Sequence, residues 1–161
     1  MAVDMFLKID GIDGESVASK HEKWIEVLSF SWGISDGSRT ANQPGKLSSK
    51  TKVQVSDFSI MKTLDKATPK LFHKCCEGEH VADVSLEVMR TGGDKQQEYL
   101  KIKLTDVLIS SVSPAGSIGN LPVENVSFSF ASSMISVADE KGTFESVGGC
   151  GATSFDQIKE R

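Results

Sequence analysis

The residues whose types could do chemistry fall into three groups, and the first is His73, Cys75, Cys76 and His80 in the stretch LFHKCCEGEH. Imidazole and thiolate are ligands that zinc accepts, but a zinc site needs them to converge from both sides of a spacer. On the helix expected here, His73 and Cys75 stand roughly 200° apart. The simpler reading makes the cysteines small apolar packing residues and the histidines surface or capping groups. The second group is Cys150 in GGCG. Its glycines would suit a strained nucleophile elbow, yet no histidine lies nearby in sequence and the pattern is not strand, turn, helix. The third is Asp57, Asp65, Asp83 and Asp106, which fall at strand or helix edges, where carboxylates are solvated or cap backbone; nothing in the sequence pairs them. The glycines at 92–93 and 116–119 lack the GxGxxG or Walker spacing that cradles phosphate and read as turns. No cofactor, metal site or catalytic set is therefore expected.

The elements that would position such groups are mostly strands. Residues 3–9, VDMFLKI, alternate weakly, and a longer strand is expected over Lys23–Ile34. Residues 35–50, SDGSRTANQPGKLSSK, read as a long loop, and loops beyond about 12–15 residues in compact domains tend to be functional or disordered. VQVSDFSI at 53–60 is a further short strand. The period then changes. Thr68 sits at an N-cap position, Pro69 at N1, Leu71, Phe72, Cys75 and Cys76 recur at helical spacing, and Gly78 follows as a C-terminal cap. VADVSLEVMR and EYLKIKLTDVLISSV alternate on either side of a Gly-Gly turn as an antiparallel hairpin, with Val84, Leu86 and Val88 opposite Ser85, Glu87 and Met89. LPVENVSFSFASSMISV adds another strand. The tail, 138–161, reads as one weak strand and a frayed end. The expectation is a single mainly β domain over 1–161: an antiparallel barrel of two packed sheets, one short helix and one extended loop.

Composition narrows the function classes. The 161 residues are 39% hydrophobic and 25% charged, with 18 basic against 22 acidic side chains and a net charge of -4. Nucleic acid is not an expected partner, because phosphate binding needs clustered Lys and Arg. Nor is a membrane, since no apolar run approaches the roughly 20 residues a helix needs to span one. The N-terminus, MAVDMFLKIDGIDG, carries charges where a signal peptide would be apolar, so synthesis in the cytoplasm and export only by a signal-independent route are expected. Three cysteines make no disulfide framework.

One feature is harder to place. From Leu28 to Ile34, and again from Val126 to Ala131, one strand face is apolar while the other carries only serine, glycine or alanine. Water-facing strands normally carry Thr, Lys, Glu or Arg, and Ser and Gly are weak strand formers. Small side chains lower a sheet's relief, as an inter-subunit seam or a cavity lining requires.

GES at 14–16 with His21 and IEVLSFSWG at 25–33, FSIMKTLDKATPKLF with Gly78 and His80, and EYLKIKLTDVLISSV with PVENVSFSF together resemble Hcp, the haemolysin-coregulated protein family of bacterial type VI secretion. The resemblance runs in order from Met1 to about Val137; residues 138–161 have no counterpart pattern. It implies a β-barrel with one helix, closing into a homohexameric ring that stacks into the inner tube driven by a contractile sheath. Such a tube carries the VgrG spike protein at its tip and secreted effector proteins in its lumen, and is exported without a signal peptide. On that reading Ser29, Ser31, Ser127 and Ser129 line the lumen or, alternatively, the subunit seam. Ser38, Arg39, Thr40, Asn42, Gln43, Pro44 and Lys46 belong to a loop that reaches an adjacent subunit or ring, against the plainer view of a surface excursion. The competing class is a small β-barrel hydrolase or metal-binding module, with its site near Cys150 or near His73 and Cys75.

Overall fold

The computed structural model describes residues 2–36, 53–92, 95–138 and 144–150. Three long strands carry the architecture as an antiparallel meander: β7 (His80–Gly92), β8 (Lys95–Ala115) and β9 (Val123–Ala138). On one side β1 (Ala2–Ile9) pairs with β7, and β2 (Ile25–Val27) pairs with β1. On the other side β6 (Phe58–Thr63) pairs with the first half of β9, and β3 (Ser29–Ser31) pairs with β6. β10 (Phe144–Cys150) pairs with the second half of β9, which makes the weak strand expected in the tail a real one. Gly92 opposite Lys95 closes the expected hairpin; its turn, Gly93 and Asp94, lies outside the described residues.

The resulting order, β2-β1-β7-β8-β9-β6-β3, puts β2 and β3 at opposite ends of the sheet although only Leu28 separates them in sequence. The sheet must therefore curl until its two edges meet, giving a nearly closed barrel. Leu28 makes the crossing, its amide donating to the Met61 carbonyl at 2.7 Å. The single strand expected over Lys23–Ile34 is thus corrected to three: β2, β3 and β4 (Ile34–Asp36). A segment that serves both edges of one barrel has to break where it changes partner. Lys23, at φ 67, stands in the left-handed region just before it.

Alternation along these strands fills the barrel. Leu7, Leu86 and Ile102 face one another across β1, β7 and β8, and Phe58 and Phe128 across β6 and β9, all buried. Burying such a side chain contributes about 1.5–3 kcal/mol. Alternation fails between Val88 and Met89, where a bulge turns both side chains inward, so Met89 is buried rather than opposite Val88.

The helix, α1 (Thr68–Glu77), buries Leu71 in the hydrophobic core and is closed by Gly78 in a left-handed conformation, φ 65. Thr68 is not its N-cap. Ala67 holds that position without a side-chain bond, and Asp65 supplies the cap two residues earlier: its carboxylate accepts the Ala67 amide at 3.0 Å while its own amide donates to Thr68 Oγ1 at 3.1 Å. This is the reciprocity of a capping box with the partners shifted. Cys75 is half-buried against the core, whereas Cys76 is exposed, not a core residue.

The loop expected over 35–50 begins inside structure. β4 pairs with β5 (Val53–Val55) as a separate two-stranded ribbon, Ile34 opposite Val55 and Asp36 opposite Val53. Residues 37–52 lie outside the described residues, and with them Ser38, Arg39, Thr40, Asn42, Gln43, Pro44 and Lys46; so do 139–143 and 151–161.

Candidate functional site

Strand register brings the serines of the two bald stretches together. Ser31 opposes Ser59, Ser59 opposes Ser127, and Ser127 opposes Ser111, so one row of hydroxyls crosses β3, β6, β9 and β8. Beside it runs a second row, Ser29, Met61, Asn125 and Ser113. Because side chains alternate, the neighbours Phe58, Ile60, Val126 and Phe128 fill the core while this face points away from it. Ser29 and Ser31 are exposed, and Ser127 and Ser129 half-buried, in a single copy of the chain.

Hydrogen bonds tie these hydroxyls to one another. Ser59 Oγ and Ser127 Oγ stand 3.0 Å apart. A bulge between Ile109 and Ser111 leaves Ser110 and Ser111 both exposed, and the Asp57 carboxylate accepts from Ser110 at 2.8 Å and from Ser129 at 3.1 Å. Ser59, Ser110 and Ser111 stand outside the two serine stretches, although FSI at 58–60 and ISSVS at 109–113 carry the same alternation, and Asp57, expected as a solvated or capping carboxylate, instead binds two serines.

The core side of this sheet is stiffened twice. Phe58 packs near Phe128, Phe30 and Trp32, with ring centroids 6.1–6.3 Å apart, and Trp32 meets Phe130 edge-on at 5.8 Å. At its far end Lys62 and Glu124, both fully buried, form an ion pair. The Lys62 ammonium also donates to Asp65 at 2.8 Å and to the Thr63 carbonyl at 3.0 Å, and Thr68 Oγ1 donates to Glu124 at 2.9 Å. The two strands and the start of α1 are thereby joined in one polar knot.

A second buried polar group sits on the outside of β1 and β7. His21 stacks on Phe6 at 4.4 Å, meets Trp24 edge-on, and hydrogen-bonds Glu87 at 2.5 Å. Residues 13–24 cover it. Gly14 is required there, since a Cβ would lie 2.4 Å from the Trp24 carbonyl oxygen, and Ser16 exchanges backbone bonds with Lys23 and Trp24. GES and His21 are thus one folded cover.

The residues singled out for chemistry do not assemble. Among the described residues no three His, Cys, Asp or Glu side chains gather where they could hold a metal ion. His73 is exposed while Cys75 turns toward the core. His80 pairs with Asp106 at 2.9 Å, both exposed, and Asp83 lies in a shallow cleft with Lys8, Asp10, Ser85 and Lys103. Cys150 ends β10; its side chain lies outside the described residues. The Lys74 ammonium, hydrogen-bonded to Glu79 at 2.5 Å, holds that carboxyl below its usual value, first through the bond and then through its charge.

Several relatives share this architecture. Residues 6–136 match the family described as "Type VI secretion system effector, Hcp". "Protein hcp1" of Pseudomonas aeruginosa is 40% identical over 150 residues, covering 92% of this chain and 91% of its own. The crystal structure of Hcp1 from Salmonella typhimurium superposes with a TM-score of 0.75 at 34% identity, covering 94% of this chain and 95% of that one. A type VI secretion system effector from Yersinia pestis does so with a TM-score of 0.75 at 34% identity, covering 92% and 100%. The chain belongs to the Hcp family, whose members are structural proteins of type VI secretion and not enzymes.

Proposed function

We propose that this type VI secretion tube protein works as a six-membered ring whose bore is lined by the Ser31–Ser59–Ser127–Ser111 face. The observation that carries the reading is that row of short, uncharged hydroxyls spanning four strands on the side away from the core. A bore that admits varied folded cargo favours such a surface, because long charged side chains obstruct passage and bind selectively. Two further features support it. Among the described residues β3 pairs only with β6, and β8 beyond Leu108 pairs only with β9, so the four-stranded sheet ends in strands that can continue into neighbouring copies. Leu28 next to it is 53% exposed in a single copy, a cost that assembly removes.

In this reading the rings stack into the inner tube, a contractile sheath propels it, VgrG caps it, and effectors ride in its lumen. The protein is made in the cytoplasm and leaves without a signal peptide. The loop bearing Ser38, Arg39, Thr40, Asn42, Gln43, Pro44 and Lys46 contacts an adjacent subunit or ring, so deleting 38–48 weakens stacking.

The test combines mass and cargo. Light scattering of the purified chain is expected to give about six subunits. Ser31→Trp is expected to leave that mass unchanged and to reduce effector retention. A Ser31→Trp ring that comes apart moves the serine face to the subunit seam, and a variant normal in both respects overturns either placement.

A further inference from the structure

An apolar groove of about 310 Å³ lies where β3 passes into β4 against the second half of β9 and the end of β10, lined by Trp32, Ile34, Ser133, Ile135, Gly148 and Gly149. No residue lining it is charged. Among the described residues the Trp32 indole N–H is buried without an acceptor. At the other end of β9 stands its opposite. The loop joining β8 to β9, residues 116–122, presents Ile118 fully exposed and Leu121 largely so around a left-handed Gly119, and has no charged residue from Ser113 through Val123. Its base is fixed by the Leu64 amide donating to the Pro122 carbonyl at 3.1 Å.

We infer that Ile118 and Leu121 of one copy seat in this groove of a second copy, head to tail. The claim rests on the ring reading above and extends it. Val123, where the loop ends, and Ser133 on the groove wall are ten residues apart along one strand, about 30 Å, so the loop cannot fold back into its own groove. Both surfaces are uncharged in a chain that is 25% charged. The displacement between joined copies lies along the strands. If the four-stranded sheets continue edge to edge around the bore, their strands run along it, and the contact joins successive rings. Two aliphatic side chains bury on the order of 200 Å², well below the roughly 1,200 Å² of a stable pair. One contact does not hold two copies; repeated around a ring it does.

The experiment compares Ile118→Asp/Leu121→Asp with Ile34→Asp, all at exposed positions, by light scattering at low concentration and negative-stain imaging at high concentration. Both variants are expected to keep the wild-type ring mass and to lose stacks down to single rings. The loop variant retains its groove, so in tenfold excess it is expected to cap and shorten wild-type stacks. Stacks of wild-type length in either variant, or variant rings that fall apart, overturn the contact alone; wild-type rings that never stack overturn it together with the stacking proposed above. A wild-type chain that stays solitary overturns the ring reading and the contact with it.

Discussion

β8 runs through two regions of the barrel wall that face away from the core in different ways. In its first half Lys101 and Lys103 stand beside Glu87 and Ser85 of β7, with Lys8 of β1 next in the row, a face of long charged side chains. In its second half Ser111 and Ser113 stand beside Ser127 and Asn125, a face of short neutral side chains on which Ser110 and Ser129 hold the one carboxylate, Asp57. Apolar packing lies behind both halves, Ile102 and Leu104 in the first and Ile109 in the second, so the difference lies in what may approach. Long hydrated side chains keep other surfaces at a distance, while a low hydroxylic face admits them at little desolvation cost. Each half is also anchored by its own buried polar group: His21 with Glu87 on the charged side, Lys62 with Glu124 under the serines.

Breaking the anchor under the serine half is expected to cost most. Lys62→Met leaves Glu124 buried without a cation, its Oε2 already lacking a partner, at a loss of about 3–5 kcal/mol in urea unfolding. Adding Glu124→Leu should recover most of that loss, since two apolar residues can replace a buried pair. A double variant as unstable as the single one would show that the knot's hydrogen bonds to Asp65, Thr63 and Thr68, and not its charge balance, hold α1 in place. On the charged half, Gly14→Ala drives a Cβ against the Trp24 carbonyl and is expected to cost about 1–3 kcal/mol. Trp24 emission should shift to the red as the cover lifts off His21. Wild-type stability and emission would remove the cover from the account of that half.

Exchanging the two surfaces sharpens the comparison at smaller cost. Lys103→Ser, on the charged face, is expected to change stability by less than about 0.5 kcal/mol and to leave assembly intact. Ser127→Lys loses the bond to Ser59, about 1 kcal/mol, and brings like charges together wherever copies share this surface. Its measurable effect is on cargo retention or ring mass. If both substitutions behave alike, the two faces are chemically different but functionally equivalent.

Most of the strand pattern is legible because burial imposes a period of two wherever the barrel is filled, as along Val84, Leu86 and Val88 or Leu100, Ile102 and Leu104. What alternation cannot express is a change of partner. Leu28 continues the apolar period of its stretch without interruption, yet it is where the chain leaves β1 for β6, and no local signal marks a closure set by distant strands. Bulges hide for the same reason: Met89 and Ser110 take their directions from the register of neighbouring strands. The displaced helix cap was recoverable, because Asp65 stands three residues before Thr68 in the spacing of a capping box. For the candidate site, two of its strands were readable one at a time. That their serines fall in a single row required the register, as did the contribution of Ser59 and Ser111.

The smallest expected effect lies outside both faces, at the end of α1, and serves as their control. Lys74 lowers the Glu79 carboxyl in the folded state, mainly by hydrogen bonding and then by charge, with His73 adding slightly and residual burial opposing. A group whose folded value lies below its unfolded one contributes stability at pH above the unfolded value. That contribution fades as pH falls through the folded one. Glu79→Gln should therefore lower the thermal midpoint slightly at neutral pH, and the gap to wild type should close in acid and in about 1 M salt. Because the pair is open to solvent, the gap should be smaller than that of any substitution above. A gap that widens in acid would mean that Glu79 acts through something other than Lys74.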